Sequence, residues 1–144
     1  MTPTLFGRLQ TRVVLLSVLG LTWSIVIGPA VAAIADASYR DAVGAGVRAV
    51  VVALVVGLGW ELVYHGLQQI RWEKDWPTLF GLLTGLNEGL VVFLLLDASV
   101  LGDPVPLDAF LLHFSTLWIL VWAVANGPLV IIAPRWRYRG GRFV

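Results

Sequence analysis

Four stretches of this chain stay apolar for long enough to cross the roughly 30 Å hydrocarbon core of a bilayer, a distance that takes about 20 helical residues. They run near 12–36, 42–66, 78–97 and 108–134. No water reaches a free amide or carbonyl inside the bilayer, so each crossing must satisfy its own backbone, and a helix does so within one segment. Gly, Ala and β-branched residues abound in the first two stretches; they would weaken a helix in water but not the demand for one in lipid. Composition agrees, with 58% of residues hydrophobic and 13% charged, the latter about half the share of a soluble domain. The sequence therefore predicts an all-α integral membrane protein in which 1–144 form a single four-helix transmembrane domain with a short basic tail, 135–144.

Local signals mark the ends. Asp75 is a candidate N-cap for the third span, with Pro77 tolerated in its first turn. Pro104, Pro106 and Asp108 announce the fourth, and Asn126-Gly127-Pro128 predicts a kink or break in its last third. The connections are short, which favours antiparallel neighbours and an up-down-up-down bundle. A secretory signal is the rival reading of the first stretch, from Arg8 and Arg12, an apolar run and Ala30-Val31-Ala32. The apolar run continues past that site to Ala35, so a retained first span is expected.

The cations set an expected orientation. Arg8, Arg12, Arg71, Lys74, Arg135, Arg137, Arg139 and Arg142 fall on one side of the four spans, against Arg40 and at most Arg48 on the other. The positive-inside rule then places both termini in the cytoplasm, with the chain in an inner or plasma membrane. Trp72 and Trp76 suit the headgroup level. The tail cations Arg135, Arg137, Arg139 and Arg142 are expected to touch anionic lipid headgroups at about 1 kcal/mol each. Net charge is only +1, so a nucleic-acid partner is not expected.

Small residues recur at helical spacing: Gly20, Ser24 and Gly28 in the first span, Ala45, Ala49, Ala53 and Gly57 in the second, Gly81, Gly85 and Gly89 in the third. Such rows let helices approach closely where dispersion, not the hydrophobic effect, drives association. They are expected to pack the four helices together and to leave a face for a membrane partner, a second copy or another integral protein.

Ionisable groups inside spans are costly and so are the default functional candidates. Arg48, Glu61, His65, Glu88 and His113 occupy such positions, with the amides Asn87 and Asn126. Depth sorts them into an outer layer, where Arg48 is expected to pair with Glu88 beside His113, and an inner layer of Glu61, His65 and Gln68, completed by Asn126. Neither layer has the chemistry of a cofactor site. Glu61 and His65 lack a third metal ligand at their depth. The two histidines lie at opposite ends of the bundle and cannot share a haem iron. Ser115 and Thr116 follow His113 without an acid or oxyanion site beside them. Cysteine is absent, which excludes disulfides, thiolate metal sites and a thiol nucleophile. No metal, cofactor or catalytic residue is expected. The reading is a non-enzymatic membrane subunit; the alternatives are a small proton or ion channel or carrier using Arg48, Glu88 and His113, and a lipid- or quinone-acting enzyme at Glu61 and His65.

Overall fold

Thr4 decides where the first crossing begins. Its hydroxyl accepts the Gly7 amide at 3.1 Å, an N-cap bond that satisfies one of the free donors of the first turn. From there the computed structural model, which describes residues 4–70, 78–99 and 101–136, is helical through α1 (Leu5–Leu15), a π turn (Leu16–Gly20) and α2 (Leu21–Ala35), together one span. This start lies about two turns before the expected residue 12. Arg8, expected ahead of the first span, and Arg12, expected at its edge, are therefore both helix residues, and Arg12 is buried. A charge does not end a helix when its partners wait on neighbouring helices.

Pro29 stands inside α2 and has no amide to give the Ile25 carbonyl. The Tyr39 hydroxyl fills the gap, donating to that carbonyl at 3.2 Å. Asp36, in left-handed geometry at φ 48°, ends the helix, and the Ala37 amide reaches back to the Ala32 carbonyl at 3.1 Å. Ser38 then starts α3 (Tyr39–Ile70): its hydroxyl accepts the Asp41 amide at 3.2 Å and donates to the Asp41 carboxylate at 2.6 Å. This span is longer at both ends than the expected 42–66.

The last two crossings are α4 (Thr78–Asp97) and α5 (Leu107–Asn126), and α5 breaks at Gly127 before a short α6 (Pro128–Ile132). The break falls at the Asn126-Gly127-Pro128 signal. All four rods are long and apolar enough to cross a membrane. Asp75, Pro77, Arg71, Trp72, Lys74, Trp76, Arg137, Arg139 and Arg142, which carried expectations above, lie outside the described residues.

Consecutive spans pack against one another, and the last returns to the first. The second and fourth also touch across the middle, through α3 and α5, whereas α1 and α2 make no backbone approach to α4. The core between them is built from Leu16, Ala49, Val50, Ala53, Val92, Phe110, Phe114 and Leu117 among others. Outside it, whole rows of large apolar side chains face outward, such as Leu79, Leu83, Leu86, Leu90 and Leu94 on α4. A surface of that kind is stable against lipid, not water.

The glycines of α4 make room for side chains of α5. A Cβ on Gly85 would overlap the Trp118 indole, and one on Gly89 would lie 2.7 Å from the Phe114 ring. The glycine row of α4 is thus a groove holding an aromatic row of α5, in which Phe110, Phe114 and Trp118 stack at 5.2 and 5.6 Å between centroids. Two indoles also tie α5 to α4 carbonyls, Trp118 to Leu82 at 3.1 Å and Trp122 to Thr78 at 2.9 Å.

Candidate functional site: a charge cluster inside the bundle

Arg12 leaves α1 and crosses the bundle to α4, to which its own helix makes no backbone approach. The passage is open because α3 carries Gly57 there; a Cβ at that position would run into the guanidinium. At the far end the fork is met two-on-two by Glu88, Nη1 to Oε2 at 2.6 Å and Nη2 to Oε1 at 2.9 Å. This is the planar geometry in which guanidinium and carboxylate bind most strongly. Glu88 has no exposed surface.

Glu61 of α3 holds the other edge of the guanidinium, accepting from Nε at 3.1 Å and from Nη2 at 2.8 Å. Its second oxygen takes a longer contact from Arg8 at 3.4 Å, while Arg8 donates to Gln68 at 2.6 Å. The Trp118 ring lies 5.6 Å from the Arg12 Cζ and covers the guanidinium with its π face. Two cations and two carboxylates therefore meet with zero formal net charge. Arg12, Glu61 and Glu88 lie roughly 10–15 Å along their helices from the ends on that side, inside stretches apolar enough to cross a membrane. Buried as they are, the ions need a closed, hydrogen-bonded arrangement to offset their desolvation.

The sequence placed these groups differently. Arg48, expected on Glu88, instead donates to the Leu101 carbonyl at 3.2 Å, with its guanidinium against Gly102. It sits one residue from the core-facing Ala49, and its long side chain reaches for the loop at the near end of the bundle. His113 is not part of the cluster. Its Nε2 lies 2.9 Å from the Ser24 hydroxyl, which also donates to the Gly20 carbonyl at 2.8 Å. Gly46 leaves room for that contact, since a Cβ there would be 2.8 Å from His113 Nε2. Arg48, Glu88 and His113 thus occupy three separate environments.

Of the inner layer, Glu61 and Gln68 do meet, through Arg8. His65 lies aside, 3.5 Å from Gln69. Asn126 is exposed and donates to the Trp122 carbonyl of its own helix at 2.8 Å, and Asn87 faces outward. Tyr64 is buried beside the cluster, stacked on Trp60 at 5.4 Å. Among the described residues, no group of three His, Cys, Asp or Glu side chains is placed to hold a metal ion.

Arg8, Arg12 and Trp118 are the members that sequence reasoning missed. Two signals pointed to the arginines: Thr4 as an N-cap ahead of the apolar Leu5 and Phe6, and two arginines four residues apart, hence on one helix face. The tail adds another. Trp136 is buried, and its indole donates to Thr11 at 3.0 Å, next to Arg12 in sequence. Arg135 beside it is exposed.

Comparison with protein-family models, with curated proteins and with solved structures finds no match to this chain.

Proposed function

We propose that this chain is a non-enzymatic integral membrane subunit that assembles, through the outward face of α3, with a second copy of itself or with a helix of another membrane protein. The observation that carries this reading is a set of three glycines, Gly44, Gly59 and Gly66, around which a Cβ would meet nothing within 4 Å among the described residues. They fall within about 60° of one another on the helix, on the face that also carries the exposed Val51, Val55 and Leu62. The glycines facing inward, Gly57, Gly85 and Gly89, each make room for a named side chain. Those facing outward make room for nothing among the described residues, and against fluid lipid a missing side chain has no packing value. A partner helix would use the space.

The charge cluster supports the same reading. Its ions are spent on one another, tying α1, α3 and α4 in one register, and the Trp118 ring covers them. Multi-pass insertion with both termini on the cytoplasmic side completes the proposal, from the cation asymmetry of the sequence.

The test is the size of the particle in nanodiscs formed directly from native membranes, for wild type and for the double variant Gly59→Leu/Gly66→Leu. The expected result is an assembly larger than one chain that the double variant reduces to one chain, with its unfolding midpoint unchanged. A wild-type particle holding a single chain, or an assembly the double variant leaves intact, would refute the proposal.

A further inference from the structure

The outward row of α4 contains a polar member. Leu83, Asn87, Leu90 and Leu94 are all exposed, at steps of four, three and four, the spacing at which two helices interlock at a shallow crossing angle. Asn87 stands half-way along α4. Its polar neighbour on α3 is the Tyr64 hydroxyl, itself buried without a hydrogen bond among the described residues. Asn126 donates to the Trp122 carbonyl of its own helix; among the described residues Asn87 makes no such bond. A primary amide has two donors and an acceptor oxygen with two lone pairs. One hydroxyl cannot satisfy them, and inside an apolar span neither lipid nor water does. The amide therefore calls for a group at its own depth on another helix.

Where that group lies follows from the charge cluster. Arg12 Nη2 donates to Glu61 at 2.8 Å and to Glu88 at 2.9 Å, so residue 61 of α3 and residue 88 of α4 lie at about the same level. The short connection makes the two helices antiparallel, and residue numbers rise along one as they fall along the other. Leu90 is then level with Gly59, Leu83 with Gly66 and Asn87 with Leu62. Leu83 and Leu90 are seven residues apart, and so are Gly59 and Gly66. Copies inserted by the same topology signals share orientation and depth, so what is level within one chain is level between two.

We propose that the α3 face bearing Gly59 and Gly66 receives α4 of a second copy of this chain, with Leu90 seated over Gly59, Leu83 over Gly66 and the Asn87 amide donating to the Leu62 carbonyl. This rests on the reading of α3 as an assembly face and names its partner. In a helix each side chain lies back over the turn before it, so Gly66 leaves the Leu62 carbonyl uncovered, and that oxygen has a second lone pair beyond its helical bond. Leu94 meets Val55, which is exposed on the same α3 face. The contact is head to tail, α4 of one copy on α3 of the next, so each copy uses two different faces.

The chain has no cysteine, so single cysteines report the contact by disulfide formation in native membranes. Two differently tagged copies are co-expressed, one with Leu90→Cys or Leu83→Cys, the other with Gly59→Cys or Gly66→Cys. Cross-links are expected for Leu90→Cys with Gly59→Cys and for Leu83→Cys with Gly66→Cys. The two exchanged pairings are displaced by about 10 Å along the helices, beyond disulfide reach, and should stay at background. Adding Asn87→Leu to both copies should lower the matched yields roughly threefold, the worth of an average hydrogen bond between helices in a membrane; unchanged yields would overturn the part given to the amide. Exchanged pairings that link as well as the matched ones, or Gly59→Cys copies that link to each other, would overturn the inference and leave α3 an assembly face. The same holds if no link forms while the wild-type nanodisc particle exceeds one chain and Gly59→Leu/Gly66→Leu reduces it to one, because the face would then hold a different protein. A wild-type particle of a single chain would overturn this inference and the proposed function together.

Discussion

Removing either partner of the Arg12–Glu88 pair should not cost the same, and the asymmetry follows from the geometry. Arg12→Leu leaves Glu88, which has no exposed surface, without either of its two hydrogen bonds, and strips Glu61 of its bonds from Arg12 as well. A broken buried pair costs about 3–5 kcal/mol, and this substitution belongs at the upper end. Glu88→Leu is milder. The guanidinium keeps Glu61 at 2.8 and 3.1 Å and the Trp118 face, so roughly 2–3 kcal/mol is expected from the lost charge-assisted bonds. In the double variant the remaining Arg8 and Glu61 balance each other, and stability should return to within about 1 kcal/mol of wild type, as when apolar groups replace both members of a buried pair. Reversible unfolding in bicelles by titrated denaturing detergent, followed by tryptophan fluorescence, measures all four proteins. Arg48→Leu serves as the control: its one hydrogen bond to a loop carbonyl should be worth at most about 1 kcal/mol. Additive losses in the double variant, or a larger loss for Glu88→Leu than for Arg12→Leu, would refute the reasoning.

Two glycines on one helix should respond differently to the same change. Gly57→Ala pushes a methyl group into the Arg12 guanidinium and should lower stability by roughly 1–3 kcal/mol, whereas Gly59→Ala meets nothing within 4 Å and should leave the unfolding midpoint within error; equal effects would show that Arg12 does not pass over Gly57. For topology, single cysteines at Asp103 and Gly140 should be labelled by an impermeant reagent from opposite sides of intact cells, Asp103 from outside only. Labelling of both from one side would overturn the proposed orientation.

Apolar length alone determined that the chain holds four helices long enough to cross a membrane, because a bilayer leaves the backbone no other way to satisfy itself. The break at Gly127 and the presence of ionisable groups within spans were equally legible, since each depends on one segment. Partners were not. Depth counting paired Glu88 with Arg48, inside an expected span, and left Arg12, at the edge of one, among the topology cations. Which cation wins depends on where α1 begins, on the opening left by Gly57 and on the rotation of each helix, and these are settled only when four helices pack at once. The same holds for the small residues. Four-residue spacing announced close packing, but whether Gly85 admits a backbone, an indole or nothing at all is decided by the helix opposite, and here it is Trp118 that fills the groove.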